Sequence, residues 1–525
     1  MQSTDSTKAP GTPIPPGLRR FLYATATING AAILIIEILG AKLLAPYLGT
    51  SHFVWTAQIS VTLLALAVGY YLGGILVDRT RELHHLFLAM LGAAIYLALT
   101  LFITEKVAYA CLGLGIRLGS ILCSAFLFFV PLTLLAMTGP FLIRLLSKSI
   151  EGVGSQAGRL SAVSTLGSVG GAMLIGYVLI PLLPNSITVL VTSAVLALLA
   201  LTYRIVFAQK KGSLNTGCFL ALASLCAGTF AIKQDLRTDY YRLKEIHRSN
   251  SNFGMLQVLQ VKDDSMTNYY FCNDNLSQNV YFKDTKQSGA LFTYMLHGLA
   301  RGYTTNLQSA LCIGLGVGIV PSLLAQEGVM VEAVEINDAV VPIAQKYFDL
   351  DPTQFTLHIE DGRSFLNRTR LRYDTVILDA FLGDSSPSHL MTREAFQAMR
   401  AVLNPGGVVV MNCFGHLDNQ RNFFIASLER TLESVFKKVR IHNSGGGNVF
   451  IVASDRADME LVPPTDFSAV HRFLVAQVRS CYASQVATAP DRGRVLTDDY
   501  NPVDFYDANN REEFRRNMAL GFRRN

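Results

Sequence analysis

Long apolar runs without Asp, Glu, Lys or Arg dominate the first 232 positions of this 525-residue chain. A helix that crosses a bilayer must satisfy its backbone hydrogen bonds internally, and about 20 apolar residues span the hydrocarbon core. Prolines at 181 and 184 divide the longest of these runs in two. The pattern predicts seven membrane-spanning helices, at 21–44, 53–77, 83–104, 118–143, both halves of 160–203, and 212–232.

Small residues and one acid stand out within these apolar segments. Glycines at 69, 73 and 74 and at 167, 170 and 171 lie three or four positions apart, which predicts close helix–helix contact. Glu37 lies inside the first segment, where an acid costs roughly 2.5–3.5 kcal/mol on insertion scales. Two interpretations of Glu37 stay open: a site for a cation or amine, and a hydrogen bond to a neighbouring helix.

The basic residues of the apolar half predict its orientation. Loops that carry Lys and Arg remain on the cytoplasmic side, and here the basic loops all lie on the side of the N-terminus if seven helices alternate. Seven crossings would then export everything after residue 232. Either one segment does not span, or 107–116 begins an extra short span, or the later half works outside the cell. We favour a miscount, which places that half in the cytoplasm of a multi-pass protein of the inner or plasma membrane.

The pattern of apolar positions changes after residue 232. Within 233–300, alternating segments around 255–259, 268–272 and 280–282 predict a small antiparallel sheet, with a turn at Asn273-Asp274-Asn275. From Ser309 onwards, strands alternate with helices, which predicts a parallel α/β sheet. A turn is expected at Asn404–Gly407, and an antiparallel edge strand at Asn448–Ala453. The predicted organisation is a disordered tail at 1–20, a membrane domain at 21–232, a β-rich subdomain at 233–300, an α/β domain at 301–460 and an extension at 461–525.

Chemistry-bearing residues follow three successive strands of the α/β domain. Gly314, Gly316 and Gly318 follow the first strand, and Glu335 ends the second. In doubly wound folds, such glycines let the backbone approach a nucleoside while the acid accepts hydrogen bonds from the ribose hydroxyls. The G-x-G-x-G spacing suits an adenosyl sulfonium better than NAD, because Pro321 occupies the third glycine position of the dinucleotide pattern.

Two further acids end strands in this domain. Asp361, followed by Gly362, is predicted either to contact adenine or to cap a helix before Ser364. Asp379 is predicted either to cap a helix or to meet a cationic amine as the catalytic acid. The carboxyl ends of parallel strands share one edge of a sheet. We therefore expect Glu335, Asp361 and Asp379 to line one crevice.

Composition narrows the function classes. Of 39 acids, 33 lie in the last 293 residues, which separates a membrane half from a soluble half. The net charge of +6 is spread along loops, so no nucleic-acid partner is predicted. The eight cysteines show no C-x-x-C spacing and are expected to be packing residues, and no metal site is predicted.

Residues from about 240 to 415 resemble the spermidine/spermine synthase family of polyamine aminopropyltransferases. Residues 273–278 resemble its L-D-G-x-x-Q hairpin, 314–318 its G-G-G-D-G loop, and 379–382 its D-x-x-D loop. The apolar half with Glu37, and the C-terminal segment 496–503, resemble the membrane-fused branch. The resemblance implies a Rossmann-like domain of the class I methyltransferase type, with decarboxylated S-adenosylmethionine as co-substrate and methylthioadenosine as product. It assigns catalysis to Asp379, nucleoside binding to Gly314, Gly316, Gly318, Glu335, Asp361 and Gly362, and substrate binding to Asp274, Gln278, Tyr294 and Asp384.

The chain also departs from the family pattern. Val317 replaces the acid of the glycine loop, and Leu382 replaces the second acid of D-x-x-D. Aminopropyl transfer to an amine such as putrescine is the leading hypothesis. The alternatives are an S-adenosylmethionine-dependent methyltransferase, favoured by Val317, and a non-catalytic transporter or sensor with a nucleoside-binding domain. The lipid bilayer is the other expected partner, and a homodimer is what the resemblance suggests.

Overall fold

The computed structural model describes residues 14–49, 51–80, 82–147, 152–208, 214–235, 239–240, 243–263, 266–381, 387–418, 421–487, 492–506, 513 and 515. Two compact units contain them. The first is formed by the described residues of 1–43, 55–111 and 117–234, and the second by those of 44–54, 112–116 and 235–525.

The first unit is helical. Six helices are long and apolar enough to cross a membrane: Pro16–Leu48, His52–Thr80, Leu83–Leu112, Ile116–Leu146, Val153–Leu182 and Asn185–Val206. The seventh predicted segment is also a helix, Leu214–Asp235. Its part Ala221–Phe230 is apolar but shorter than the six long helices. The described part of the chain therefore supplies six candidate spans where the hydrophobic pattern predicted seven.

Glycines bring these helices into close contact, as predicted. A Cβ atom on Gly73 would lie 2.7 Å from the Met137 carbonyl oxygen, and one on Gly171 would lie 2.6 Å from the Ala31 Cα. Gly74 has open space around it. The small-residue pattern thus marks the helix faces that pack closely, although not every glycine in it takes part.

The second unit begins with a six-stranded antiparallel sheet in the order β1-β2-β3-β4-β5-β6. Asp274 and Asn275 have φ angles of 48° and 62°, so the predicted turn between β4 and β5 is a tight hairpin. The alternating segments predicted by the sequence correspond to β3, β4 and β5. The strands are β1 Asp239–Tyr240, β2 Leu243–Ser251, β3 Gly254–Asp263, β4 Met266–Asn273, β5 Leu276–Phe282 and β6 Gln287–Ser288.

An eight-stranded sheet follows, in the order β14-β12-β13-β11-β10-β7-β8-β9. Strands β11, β10, β7, β8 and β9 are parallel, and β13, β12 and β14 add antiparallel pairs on one side. The strands are β7 Ser309–Ile313, β8 Met330–Glu335, β9 Thr356–Ile359, β10 Tyr373–Leu378, β11 Leu403–Phe414, β12 Lys438–Asn443, β13 Asn448–Ser454 and β14 Gln485–Val486.

Helices cover both faces of this sheet. Successive residues of β7 point to opposite faces, so that Ala310 and Cys312 enter one hydrophobic core while Leu311 and Ile313 enter the other. The longer helices are Leu291–Tyr303, Ile319–Gln326, Val340–Tyr347, Gly362–Arg368, Arg393–Ala401, Phe423–Glu433 and Val475–Ala483.

Two predictions about this sheet were wrong in detail. The segment Asn448–Ala453 forms the antiparallel strand β13, but β13 is an inner strand, because β12 pairs with its other side. Residues 404–407 lie within β11 rather than in a turn before it. There the pairing with β10 jumps from Tyr373↔Leu403 to Thr375↔Val408, so the predicted turn residues make an irregularity inside the strand.

Candidate active site

A cavity of about 370 Å³ opens at the carboxyl ends of the parallel strands. Seven of the eleven predicted site residues line it: Gly314, Gly316, Glu335, Asp361, Gly362, Asp379 and Gln278. The expectation that the three strand-end acids share one crevice therefore agrees with their placement. The glycine loop after β7 divides the cavity into a β8–β9 side, with Glu335 and Asp361, and a β10–β13 side, with Asp379.

The glycine loop is shaped by close backbone contacts. Gly314 has a φ of 96°, and its N–H donates to the Val334 carbonyl at 2.8 Å. A side chain here would collide with the backbone of Asp379, so glycine is required for the loop to pass between β7 and β10. Gly318, with a φ of 84°, precedes the helix Ile319–Gln326 and lies against Leu350 rather than in the cavity lining.

Glu335 is held rigidly at the end of β8. One carboxylate oxygen accepts the Leu315 N–H at 3.0 Å, and the other accepts the Asn337 N–H at 2.8 Å. Burial raises the pKa of Glu335, and these backbone hydrogen bonds offset part of the rise. A carboxylate has about four acceptor sites, so these backbone N–H groups leave part of its capacity to accept hydrogen bonds from hydroxyl groups in the cavity.

Asp361 caps a helix, which is one of the two roles predicted for it, and it also lines the cavity. Its Oδ1 accepts the Ser364 N–H at 2.9 Å, which caps the helix Gly362–Arg368, and its Oδ2 lies 2.8 Å from Nε2 of His389. Burial alone would raise the pKa of Asp361, but the hydrogen bonds from Ser364 and His389 and the charge of His389 lower it overall. Asp361 is therefore an ionised acceptor that caps a helix and also lines the cavity.

Asp379 lies beyond the last residue of β10, on the opposite side of the glycine loop. Burial raises the pKa of Asp379 to about 6, although a hydrogen bond from Asn412 acts in the opposite direction. The Asn412 amide donates to Oδ1 of Asp379 at 2.9 Å, and its own oxygen accepts the Asn448 amide at 2.9 Å. Asn448 thus fixes the orientation in which Asn412 donates to the acid.

The other predicted site residues lie elsewhere. Tyr294 is buried, donates its hydroxyl to the Ser288 carbonyl at 2.8 Å and accepts the His471 N–H at 3.3 Å, outside the cavity lining. Asp274 is buried in its hairpin and accepts the Met255 N–H at 2.9 Å, also outside the lining. Both act as structural residues in this arrangement. Asp384 lies outside the described residues.

Val317 and three polar residues change the picture drawn from sequence. Val317, in place of the family's loop acid, is only 1% exposed and packs in the hydrophobic core. His389, Asn412 and Asn448 line the cavity but were not predicted. Asn412 lies within an apolar strand, where a single amide suggests a buried polar contact. His389 and Asn448 gave no comparable signal, because their partners are distant in sequence.

One part of the chain is similar to known proteins. Residues 291–443 match the family model described as the spermine/spermidine synthase domain. A polyamine aminopropyltransferase of Vibrio vulnificus is 34% identical over 179 residues, which are 32% of this chain and 59% of that protein. An N-terminal histidine N-methyltransferase of Emericella nidulans is 34% identical over 151 residues, 28% of this chain and 26% of that one.

The structure of a spermidine synthase of Thermotoga maritima superposes with a TM-score of 0.36 at 17% identity, covering 46% of this chain and 84% of that one. The matched region spans less than two thirds of the length of both relatives. The glycine loop, the strand-end acids and the match to the family model all fall within the same part of the second unit. Within this chain, residues 291–443 are the part that matches the spermine/spermidine synthase domain.

Proposed function

We propose that this protein is a membrane-bound aminopropyltransferase that moves an aminopropyl group from decarboxylated S-adenosylmethionine to an amine and releases methylthioadenosine. The observation that carries the proposal is the placement of Glu335, Asp361 and Asp379 around one cavity beside the glycine loop. Glu335 and Asp361 supply acceptors for a nucleoside on the β8–β9 side. Asp379 supplies a carboxylate of raised pKa on the other side, where the amine would meet the sulfonium.

The transfer requires an amine nitrogen with a free lone pair. In our proposal Asp379 accepts a proton from the acceptor ammonium, and the nitrogen forms a bond to the methylene carbon beside the sulfonium. The carbon–sulfur bond breaks, its electron pair stays on sulfur, and a neutral thioether leaves. A pKa near 6 leaves Asp379 mostly ionised at neutral pH and still basic enough to take a proton.

The substitution Asp379→Asn tests this role. General-base assistance typically contributes about 10²–10⁴-fold to rate, so turnover should fall by at least that factor. Affinity for methylthioadenosine should remain, because Glu335 and Asp361 are untouched. Full activity of the variant would remove Asp379 from the mechanism.

An S-adenosylmethionine-dependent methyltransferase is the second candidate. Two observations favour it: part of the chain is similar to a histidine N-methyltransferase, and Val317 places no acid in the cavity to select the decarboxylated donor. Supplying each donor separately distinguishes the two, because aminopropyl transfer yields methylthioadenosine and methyl transfer yields S-adenosylhomocysteine. If neither product forms with either donor, a transporter or sensor would be favoured.

We also propose that the six apolar helices cross the membrane and that the second unit is cytoplasmic. An even number of crossings returns the chain to the side where it started, and Arg and Lys residues mark that side as cytoplasmic. This resolves the conflict that seven crossings create. Labelling of a cysteine introduced at Gly445, an exposed loop residue, should occur in inverted vesicles and not in intact cells.

A further inference from the structure

The acids of the cavity are divided unequally between its two sides. Glu335, Glu360 and Asp361 lie on the β8–β9 side, each bound to groups of the protein itself. Among the described residues, Asp379 is the only acid on the β10–β13 side, and Asn412 is its hydrogen-bond partner. Within the described part of the chain, one carboxylate therefore faces an amine that approaches from that side.

The remainder of the β10–β13 side consists of rings and neutral amides. Phe381 and Phe414 extend beyond Asp379 and Asn412, with ring centroids 5.1 Å apart and planes tilted by 55°. Asn448, opposite Phe414 across the β11–β13 pair, adds a neutral amide. The small sheet contributes Gln278 and Asn279, also neutral.

The family's loop position adds no second charge. Val317 is buried in the core and does not line the cavity. This position therefore adds no carboxylate to the cavity. A second ammonium group on the acceptor would meet rings and amides in place of a carboxylate. An uncharged carbon arm would bury apolar area against the two rings, which is favourable.

We propose that the acceptor is an amine with a single positive charge and an apolar carbon arm, whose nitrogen meets Asp379 while its arm lies against Phe381 and Phe414. This inference rests on the proposed function and names its acceptor class. The reaction is unchanged: the nitrogen bonds to the donor methylene, the carbon–sulfur bond breaks and Asp379 takes the proton.

Competition between two amines of equal carbon length tests the proposal. Purified full-length protein would receive butylamine or putrescine, each with decarboxylated S-adenosylmethionine and, separately, S-adenosylmethionine. We expect kcat/KM to be at least about tenfold higher for butylamine, because putrescine must desolvate a second ammonium without a charged partner. Product formation with putrescine equal to or above that with butylamine would overturn the inference and leave the proposed function intact. No product from either donor with either amine would refute both.

Adding one carboxylate should reverse the preference. Gln278→Glu is isosteric and adds a further acid to the lining, so the putrescine-to-butylamine ratio of kcat/KM should rise about tenfold, as expected for a charge-assisted hydrogen bond. Gln260→Glu makes the same change of charge on strand β3 of the same sheet, outside the lining, and should leave the ratio unchanged. An unchanged ratio in Gln278→Glu would contradict the proposal.

Two further variants test the rings and Asp384, an acid that lies outside the described residues. Phe414→Ala should lower kcat/KM for butylamine about fivefold, whereas the matched change Phe473→Ala, at an exposed ring, should not. Asp384→Asn asks whether a second acid comes from the neighbouring loop. A selective loss of putrescine use of tenfold or more in that variant would overturn the inference, and a parallel change for both amines would support it.

Discussion

The two sides of the cavity satisfy their carboxylates in different ways. On the β8–β9 side, Glu335 and Asp361 accept backbone N–H groups, which hold them in place before any ligand arrives. On the β10–β13 side, Asp379 has one side-chain amide as its partner, and burial raises its pKa. The first arrangement favours binding of a fixed nucleoside, and the second favours an acid whose charge can change. Our proposal accordingly places nucleoside binding and proton transfer on opposite sides of the glycine loop.

The largest effect is expected on the β8–β9 side. Glu335→Ala removes an oriented acceptor for two hydroxyl groups, and hydrogen bonds to charged groups contribute about 1.5–3 kcal/mol each. Affinity for methylthioadenosine, measured by calorimetry, should fall at least about 100-fold. Asp338→Ala, an exposed acid three residues further on, should retain it. Equal affinity of the Glu335 variant and the wild type would contradict the assignment of this side to the nucleoside.

A smaller effect is expected from the amide beside Asp379. Asn412 lowers the pKa of Asp379, so Asn412→Leu should raise that pKa further and move the acid limb of the pH profile of kcat/KM to higher pH. At pH 7 the rate should fall by about tenfold, because a smaller fraction of Asp379 is ionised and the carboxylate loses its hydrogen bond from Asn412. Asn448→Ala should shift the same limb less, because Asn412 remains. A profile that does not move would mean that Asn412 does not act on Asp379.

Stability offers a third comparison with the opposite sign. The folded-state pKa of Asp379, about 6, lies above the usual value of about 3.9, so its ionisation destabilises the fold as pH rises from about 4 through 6. Asp379→Asn should therefore stabilise the second unit at pH 8 by on the order of 1 kcal/mol and make little difference at pH 4. Thermal unfolding at the two pH values measures this. A variant less stable than the wild type at pH 8 would contradict the raised pKa of Asp379.

The smallest effect should come from His389. Its contact with Asp361 lowers the pKa of that acid, but Asp361 is ionised at pH 7 with or without it. His389→Gln should change methylthioadenosine affinity by about twofold at pH 7, because Asp361 keeps its charge and its hydrogen bond from Ser364. A tenfold loss at pH 7 would instead indicate that His389 contacts the nucleoside directly.

Local patterns predicted the fold well in the small antiparallel sheet and in the region where parallel strands alternate with helices. Alternation and turn chemistry located β3, β4 and β5, and the strand-end acids were predicted because parallel strands place such residues on a common edge. The sequence could not show that β12 covers β13, because that pairing joins segments of similar character without a local signal. Residues 404–407 have turn composition. The residues before and after them, Leu403 and Val408, both pair with β10, and this keeps the segment within β11.

The same reasoning explains what was missed in the site. Tyr294 and Asp274 fit the family motif by position, but their side chains are taken up by Ser288, His471 and Met255. Conversely, Asn448 lines the cavity and donates to Asn412 across 36 positions, a contact that no motif marks. Motif spacing predicts which backbone segments meet, whereas the use of each side chain depends on tertiary partners.

A structure of the full-length protein with methylthioadenosine bound would test the central claim most directly. We expect ribose hydroxyls within hydrogen-bond distance of Glu335 and the adenine amino group beside Asp361. The thioether sulfur should face Asp379 across the glycine loop. A nucleoside bound elsewhere, or one in this cavity that contacts none of these three carboxylates, would contradict it.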